Sequence, residues 1–395
     1  MDKLLSQPRS RPFEAVVIGA GPAGCAAAIT LARAGIETVL FDRRTFPREK
    51  VCGDLIGARG VRIARRLGVS DETFSPCPQL DGALILSGAS TLDLSARGAL
   101  GRVALRGVDA RVVPRRVFDH ALVRAAQRAG AAFATFDVRS IGVWNGTCRE
   151  VIGWHDGHQI ALTARGVIVA GGYGCRLGQP APRNGTWMRG LALRTYIEGA
   201  TLPPNRLIFV LDPRLLPGYG WLFPLPDGRA NVGVGALLEH GRVPPLRVLL
   251  ERLLAHPTLQ EAGWLRRARL GGVPRAWPLD LGPPRPGVAG AGLLVAGEAA
   301  GLVGPLTGAG ISFALASGER AGLYLMRALA TGELAPRALA PYARWLRTRF
   351  APQLLAETAA QRLLANPSRL RLVPSLVAPL PGAAALGARL LLSLG

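Results

Sequence analysis

The sequence has little lysine and few acidic residues relative to basic ones. Of its 48 basic residues only Lys3 and Lys50 are lysines, against 26 acidic residues, and the formal net charge is +22. The arginines are scattered and form no continuous basic stripe with interleaved aromatics, so they do not predict a nucleic-acid interface. From this charge we expect only non-specific attraction to anionic partners.

Long apolar runs, cysteine clusters and a secretory signal are also missing. No uninterrupted apolar stretch reaches the ~18 residues of a spanning helix. The five cysteines are widely spaced, without a CxxC pair, so neither a metal site nor an iron–sulfur cluster is predicted. Residues 1–13 are polar and lack an apolar signal core, so we expect a reducing, cytoplasmic location.

A strand–turn–helix–strand unit is predicted near the start of the chain. The apolar run 15–18 leads into the turn 19–24, which reads GAGPAG, and an alanine-rich helical stretch follows at 26–34. A second apolar run at 38–41 ends in Asp42. This order is typical of the βαβ unit that binds a dinucleotide in Rossmann-type folds.

Each part of this unit has a chemical reason. Gly19 permits the tight turn, Gly21 lets the backbone approach a diphosphate, and Gly24 lets helix and strand pack closely. The amino end of the helix offers free N–H groups and a positive dipole end to phosphates. Asp42, eighteen residues after Gly24, is placed to bind a ribose hydroxyl.

A second glycine-rich segment follows a short apolar run at 293–296. It reads GEAAG over 297–301 and continues through Pro305 to the triplet 308–310 at the start of a predicted helix. We expect Glu298 to contact a ribityl or phosphate-linked hydroxyl. The amino end of the helix then points at the flavin ring, where its dipole stabilises the negative charge of the reduced form.

The two glycine motifs lie near opposite ends of the chain, and β-rich sequence separates them. We therefore predict an α/β fold in which a discontinuous Rossmann-type FAD-binding domain carries an inserted β-rich substrate domain and is followed by a C-terminal helical region. The predicted limits are 12–80, 111–180 and 288–330 for the FAD-binding domain, 81–110 and 181–287 for the substrate domain, and 331–395 for the helical region.

Four further motifs complete the pattern: KVCGD at 50–54, RRVFDHAL at 115–122, YGWLFP at 219–224 and NVGVG at 231–235. With these segments and the glycine motifs, the chain resembles the geranylgeranyl reductase family of FAD-dependent oxidoreductases, within the p-hydroxybenzoate-hydroxylase-like fold group, over residues 14–325. It departs from the family pattern at three places: Glu298, where Asp is usual, the glycine pair 171–172, and residues 55–60.

The resemblance implies a role for each motif. The first turn and its acid bind the ADP half of FAD, Arg115 contacts the phosphate region, and the 50–54 loop and the 219–224 strand face the isoalloxazine and a substrate tunnel. The predicted catalytic residues are Cys52, Tyr219 and Trp221. The predicted cofactor-binding residues are Gly19, Gly21, Pro22, Ala23, Gly24, Asp42, Arg43, Cys52, Gly53, Arg115, Gly297, Glu298, Gly308, Ala309 and Gly310.

The predicted activity is hydride transfer between FAD and a carbon–carbon bond of an apolar substrate such as a polyprenyl chain, with Tyr219 or Cys52 as candidate proton donor. Two alternatives stay open: a flavin-dependent dehydrogenase, oxidase or hydroxylase that tailors a specialised metabolite, and a flavin- or lipid-binding protein without turnover. Halogenation is disfavoured because the aromatic strand reads YGWLFP instead of WxWxIP, and because Lys50 is the only lysine beyond the N-terminal tail.

The sequence contains no second glycine fingerprint for NAD(P)H, so we expect the electron donor to be transiently bound NAD(P)H or a ferredoxin. Residues 351–395 are apolar with interspersed arginines. This pattern fits either an ordinary helical cap on the core or an interfacial helix that contacts a membrane.

Overall fold

The computed structural model describes most of the chain. The described residues are 5, 10–88, 90–95, 106–177, 188–238, 245–370, 386–387, 389 and 392–393. The β structure expected at 96–105, and most of the helical region expected after residue 370, lie outside the described residues.

The described residues form alternating helices and strands. The strands are β1 (Phe13–Ile18), β2 (Thr38–Asp42), β3 (Leu55–Ile56), β4 (Gly82–Ser87), β5 (Ser90–Ser95), β6 (Arg111–Val112), β7 (Ala132–Thr135), β8 (Asp137–Ile141), β9 (Arg149–His155), β10 (His158–Val169), β11 (Met188–Glu198), β12 (Arg206–Val210), β13 (Gly218–Pro224), β14 (Ala230–Leu237), β15 (Arg269–Leu270), β16 (Arg275–Leu281), β17 (Ala289–Gly290) and β18 (Leu293–Val295). The helices are α1 (Pro22–Arg33), α2 (Ala58–Arg66), α3 (Arg115–Arg128), α4 (Leu246–Leu254), α5 (Pro257–Glu261), α6 (Ile311–Thr331), α7 (Pro336–Leu364) and α8 (Pro367–Leu370).

A parallel sheet forms one half of the molecule. Its central order is β18-β10-β1-β2-β7, and every neighbouring pair in it is parallel. This is the order of a Rossmann-type sheet, in which ligands bind outside the carboxyl ends of the strands. Both glycine motifs follow such ends, since the first comes directly after β1 and the second after β18.

The helices pack on this sheet through small residues. The alanine-rich α1 lies against α6 and α3, and nine of its twelve residues are buried. α7 closes the far side, where Tyr342 donates a hydrogen bond to the Val295 carbonyl (2.8 Å) and Phe350 packs edge-on against Phe313. The predicted α/β class is confirmed.

A second sheet, mostly antiparallel, runs β15-β11-β14-β13-β12-β4-β5, with β16 also paired to β11. Its strands come from 82–95 and 188–281, between the segments that build the parallel sheet. On this basis we propose the domain limits predicted above. None of the helices within the described residues is long and apolar enough to cross a membrane.

Two local features of the backbone stand out. β9 and β10 are joined by the two-residue turn Asp156–Gly157, whose φ angles are +47° and +81°, as a primed hairpin turn requires. The C-terminal helical stretch runs unbroken through Pro341 and Pro352 to Leu364.

Candidate active site

A cleft of about 1190 Å³ lies between the carboxyl edge of the parallel sheet and one face of the antiparallel sheet. Pockets for one drug-sized ligand span roughly 300–1,000 Å³, so this cleft has room for a cofactor and a substrate together. Gln361 and Leu364 of α7 also line it.

The first glycine turn forms part of the cleft wall on the side of the parallel sheet. Gly19 has a φ of +98°, and a Cβ there would lie 2.4 Å from the Ala170 carbonyl oxygen. Gly21, Pro22 and Ala23 line the cleft beside it. No side chain caps the amino end of α1 at Gly21 among the described residues, so its N–H groups are available to a diphosphate.

Carboxylates and guanidinium groups alternate next to this turn. Asp42 accepts a hydrogen bond from the Ala20 amide (2.9 Å) and lies 3.6 Å from the Arg48 guanidinium. Arg48 also lies 3.3 Å from Asp119, which accepts two hydrogen bonds from Arg115 (2.7 and 2.8 Å). Arg115 therefore reaches the predicted phosphate region as a buried, rigidly oriented cation.

The second glycine segment lies on the same wall. Glu298 lines the cleft, its buried Oε1 has no hydrogen-bond partner among the described residues, and burial raises the pKa of this carboxyl. Gly308, Ala309 and Gly310 also line the cleft, where α6 begins.

These groups fit FAD. Two helix amino ends open onto one cleft, at a spacing set by the parallel sheet, and each favours a negatively charged group. The orphaned Glu298 oxygen is an acceptor that requires a donor such as a ribityl hydroxyl. At Gly21 a Cβ would meet only the Arg48 side chain, 3.9 Å away, so the cradle there is open to a diphosphate.

Two predicted cofactor-binding residues lie behind the cleft wall instead of on it. A Cβ on Gly24 would lie 1.8 Å from the Gly19 carbonyl oxygen, and one on Gly297 would lie 2.9 Å from the Ala23 Cβ. Both glycines allow α1 and the two turns to pack closely. The other predicted residues, including Arg43 and Gly53, line the cleft.

Asp54 anchors the 50–54 loop to the opposite sheet. This fully buried residue has a φ of +64° and accepts hydrogen bonds from the Tyr196 hydroxyl (2.8 Å), the Asn231 amide (2.7 Å) and the Arg115 backbone N–H (3.2 Å). Burial raises the pKa of this carboxyl, although Arg194 and these hydrogen bonds oppose the shift. One side chain thus ties the loop to β11 and β14.

The backbone of Cys52 is held by the same strands. Its carbonyl accepts hydrogen bonds from Arg194 Nε (3.2 Å) and Asn231 Nδ2 (2.8 Å). Asn231 in turn accepts a hydrogen bond from Trp221 Nε1 (2.9 Å). The structure therefore brings the predicted residues Cys52 and Trp221 into one network, and both line the cleft.

Tyr219 connects the antiparallel sheet to the second glycine segment. Its hydroxyl donates to the Thr307 carbonyl (2.8 Å), and Thr307 Oγ1 donates to the buried Glu357 of α7 (3.0 Å). Burial, assisted by the charge of Glu357, raises the pKa of Tyr219, so the phenol is neutral at pH 7.

Sequence reasoning missed several residues that shape this site. Arg194 and Tyr196 are two residues apart on the same face of β11, and Asn231 lies on β14. A charged residue in the middle of a mostly apolar strand is the signal that would have identified Arg194. Glu357 carried a similar signal, as an acid in a mostly apolar helix.

The comparisons with known proteins agree with this geometry. A family described as "FAD binding domain" matches residues 13–177. The menaquinone reductase of Mycobacterium tuberculosis is 33% identical over 326 residues, which cover 78% of this chain and 75% of that protein. The digeranylgeranylglycerophospholipid reductase of Methanocella arvoryzae is 28% identical and covers 84% of this chain and 81% of that protein.

Among solved structures, a geranylgeranyl bacteriochlorophyll reductase-like protein from Thermoplasma acidophilum has the same fold. The TM-score is 0.78 at 22% identity, over 98% of this chain and 92% of that chain. The two glycine motifs, the cleft they share and the 33% identity to a full-length reductase lead to one conclusion. The chain belongs to the geranylgeranyl reductase-like family of FAD-dependent oxidoreductases.

Proposed function

We propose that this protein reduces carbon–carbon double bonds in the prenyl chain of a lipid. The observation that carries the proposal is that one cleft is lined both by the residues that fit FAD and by a set of apolar side chains, here called the apolar wall. That wall consists of Ile85, Leu94, Phe209, Leu211, Leu216 and Leu364. Relatives named as reductases of menaquinone and of digeranylgeranylglycerophospholipid support the same substrate class.

When bound, FAD supplies the hydride, and the chain's own residues supply the rest. Apolar side chains bind the prenyl chain and exclude water, and the Asp54 network holds the Cys52 loop at the reacting face. The carbon next to the one that accepts hydride must receive a proton. Because the Tyr219 hydroxyl already donates to Thr307, we propose Cys52 ahead of Tyr219 as the group that relays it.

The test is anaerobic turnover of the FAD-loaded protein after reduction with dithionite. Addition of geranylgeranyl diphosphate should reoxidise the flavin and yield a product heavier by two hydrogen atoms for each reduced bond. Menaquinone should also gain two hydrogen atoms in its prenyl chain for each reduced bond, and its mass is compared after reoxidation to the quinone because reduced flavin can also reduce the quinone ring. Prenyl chains of unchanged mass with both substrates, together with substrate-dependent oxygen uptake in air, would instead support the oxidase or hydroxylase alternative.

The natural electron donor is a separate part of the proposal. We propose transiently bound NAD(P)H or a ferredoxin, because the excess of basic residues suits either anionic partner. Stopped-flow reduction of the flavin by each donor discriminates between them. A donor that reduces the flavin no faster than a buffer blank is ruled out.

We also propose that α7 contacts a membrane surface. Leu355 and Leu363 are 54% and 52% exposed and lie eight residues apart on one side of the helix, close to the cleft-lining Leu364. The double variant L355E/L363E should sediment less with anionic vesicles than V143E, a control at an 89% exposed residue of the β8–β9 loop. Equal sedimentation of the two variants would refute this contact.

A further inference from the structure

Two arginines face each other across the edge of the antiparallel sheet. Arg194 of β11 is the register partner of Arg275 of β16, and both side chains line the cleft. Side chains directly opposite on antiparallel strands are about 5 Å apart at Cβ, and like charges in such a pair are destabilising. A cross-strand pair of arginines therefore needs a compensating anion.

A third cation lies beside this pair. The Lys50 Nζ is 3.5 Å from the centroid of the Trp277 ring, and Trp277 follows Arg275 by two residues, on the same face of β16. The Lys50 ammonium has no hydrogen-bond or ion-pair partner among the described residues, although its positive charge faces the Trp277 ring. Burial, with smaller contributions from Arg115 and Arg48, lowers the pKa of Lys50 to about 8 against the opposing effects of Glu298 and Cys52.

Nearby carboxylates interact with two of these cations, Asp54 with Arg194 and Glu298 with Lys50, but none forms an ion pair with Arg275 within the described residues. Arg194 directs its hydrogen bonds to the carbonyls of Cys52 and Lys50, which are neutral acceptors. Its nearest carboxylate, Glu49, is 3.7 Å away and 43% exposed. Within the described part of the chain, Arg275 has no ion-pair partner.

An unused donor lies on the same strand as Arg275. The Nε1 atom of Trp277 is buried and has no hydrogen-bond partner among the described residues. Lys50, Arg194, Arg275 and Trp277 all line the cleft, as do Phe209 and Leu211 of the apolar wall.

We propose that Lys50, Arg194, Arg275 and Trp277 form a phosphate-binding site for the head group of the prenyl substrate. The inference rests on the proposed function, and it narrows the substrate class to prenyl lipids that carry a phosphate or diphosphate. Guanidinium groups bind phosphate through paired, charge-assisted hydrogen bonds, and the ammonium of Lys50 adds a point charge. The head group is then held at the β11–β16 edge while the chain passes the flavin.

The test compares substrates with and without a phosphate. For the FAD-loaded enzyme, R275Q should raise the KM for geranylgeranyl diphosphate about tenfold and leave the KM for geranylgeraniol unchanged, because it removes one charge-assisted contact to the phosphate. R269Q is the matched control, since Arg269 lies on the same sheet edge, is 82% exposed and does not line the cleft. It should leave both KM values unchanged.

A second measurement does not depend on turnover. Inorganic pyrophosphate should raise the melting temperature of the FAD-loaded wild type and of R269Q, and this increase should be lost in R275Q. The measurement can succeed even if no prenyl substrate is reduced, so the two proposals can fail separately.

Three results would overturn the site. The first is an R275Q enzyme that loses FAD, which would assign the cluster to the cofactor's own diphosphate. The second is a higher KM for NADPH with an unchanged KM for the prenyl diphosphate, which would assign it to the electron donor. The third is an equal effect on geranylgeranyl diphosphate and geranylgeraniol, which would show that no phosphate is recognised.

Discussion

The two walls of the cleft differ in whether backbone or side-chain groups form them. The wall on the parallel sheet presents backbone at two glycine turns and two helix amino ends, next to the polar side chains of Asp42, Arg48, Arg115 and Glu298. The wall on the antiparallel sheet is mostly side chains, in which Tyr196, Asn231 and Arg194 bind the 50–54 loop. We therefore expect substitutions that add atoms to disrupt the first wall, and substitutions that remove hydrogen-bonding groups to disrupt the second.

The largest effect is expected at Gly24. An alanine Cβ there would overlap the Gly19 carbonyl oxygen, so G24A should lower the free energy of unfolding by about 3 kcal/mol or more. Thermal unfolding of the apo protein measures this. G272A is the control, because a Cβ on Gly272 meets nothing within 4 Å. A G24A protein as stable as G272A would contradict the close packing.

Gly21 separates cofactor binding from folding. A Cβ on Gly21 would meet only the Arg48 side chain, 3.9 Å away, so G21A should keep the melting temperature of the apo protein. It should lower the affinity for FAD about 100-fold, because the added methyl group displaces the diphosphate from the backbone N–H groups. Titration of the apo protein with FAD, followed by fluorescence, measures the affinity. FAD binding equal to wild type would remove this turn from the cofactor site.

Asp54 tests the wall of side chains. In D54N one carboxylate oxygen becomes an NH2 group. The side chain can then no longer accept from the Arg115 backbone N–H at Oδ1 while it accepts from Tyr196 and Asn231 at Oδ2, so the 50–54 loop should shift. We expect FAD to be retained and kcat/KM for prenyl reduction to fall about 30-fold, or roughly 2 kcal/mol. D137N, next to the exposed Arg139, should match wild type. Loss of FAD in D54N would show that the loop belongs to the other wall.

Glu298 is a polar side chain on the wall formed mainly by the glycine turns, and its substitution sharpens the comparison. E298Q should weaken FAD binding about tenfold and yet stabilise the apo protein by about 1 kcal/mol, because it removes a buried charge that lacks a full set of partners. Burial raises the pKa of this acid, so the folded apo protein binds the proton more tightly than the unfolded chain.

The pH dependence of Glu298 follows from that sign. Its contribution to stability is present at low pH and is lost as the pH rises from the unfolded-state pKa through the raised folded-state pKa. In E298Q this part of the pH dependence of apo unfolding should disappear, and E298D should keep it. An identical pH profile for E298Q and wild type would contradict the burial of this charge.

The smallest effect is expected at Tyr219. Y219F removes one hydrogen bond to the Thr307 carbonyl and should cost about 1 kcal/mol of stability and a few-fold in kcat. C52A should reduce kcat more strongly if Cys52 relays the proton, at unchanged FAD content. A larger loss of kcat in Y219F than in C52A would make the tyrosine the proton donor.

Local signals located the residues of the first wall along the chain, because a site formed by backbone atoms needs glycine at set positions. Gly19, Gly21 and Asp42 could be located from the order of strand, turn, helix and acid alone. The second wall gave weaker signals. YGWLFP marked a strand, but no pattern indicated that Asn231 bonds Trp221 or that Tyr196 reaches Asp54, which lies 142 positions away in the chain.

The sequence alone therefore determined the Rossmann-type fold, the cofactor and the reductase family, since each depends on short motifs whose chemistry is complete within a few residues. The tertiary structure decided which side chains meet across the cleft: the Asp54 network, the support of Thr307 by Tyr219 and Glu357, and the cross-strand pair of Arg194 and Arg275. The physical reason is that strand register and sheet packing bring distant residues into contact, and neither can be read from residues that are adjacent in the chain.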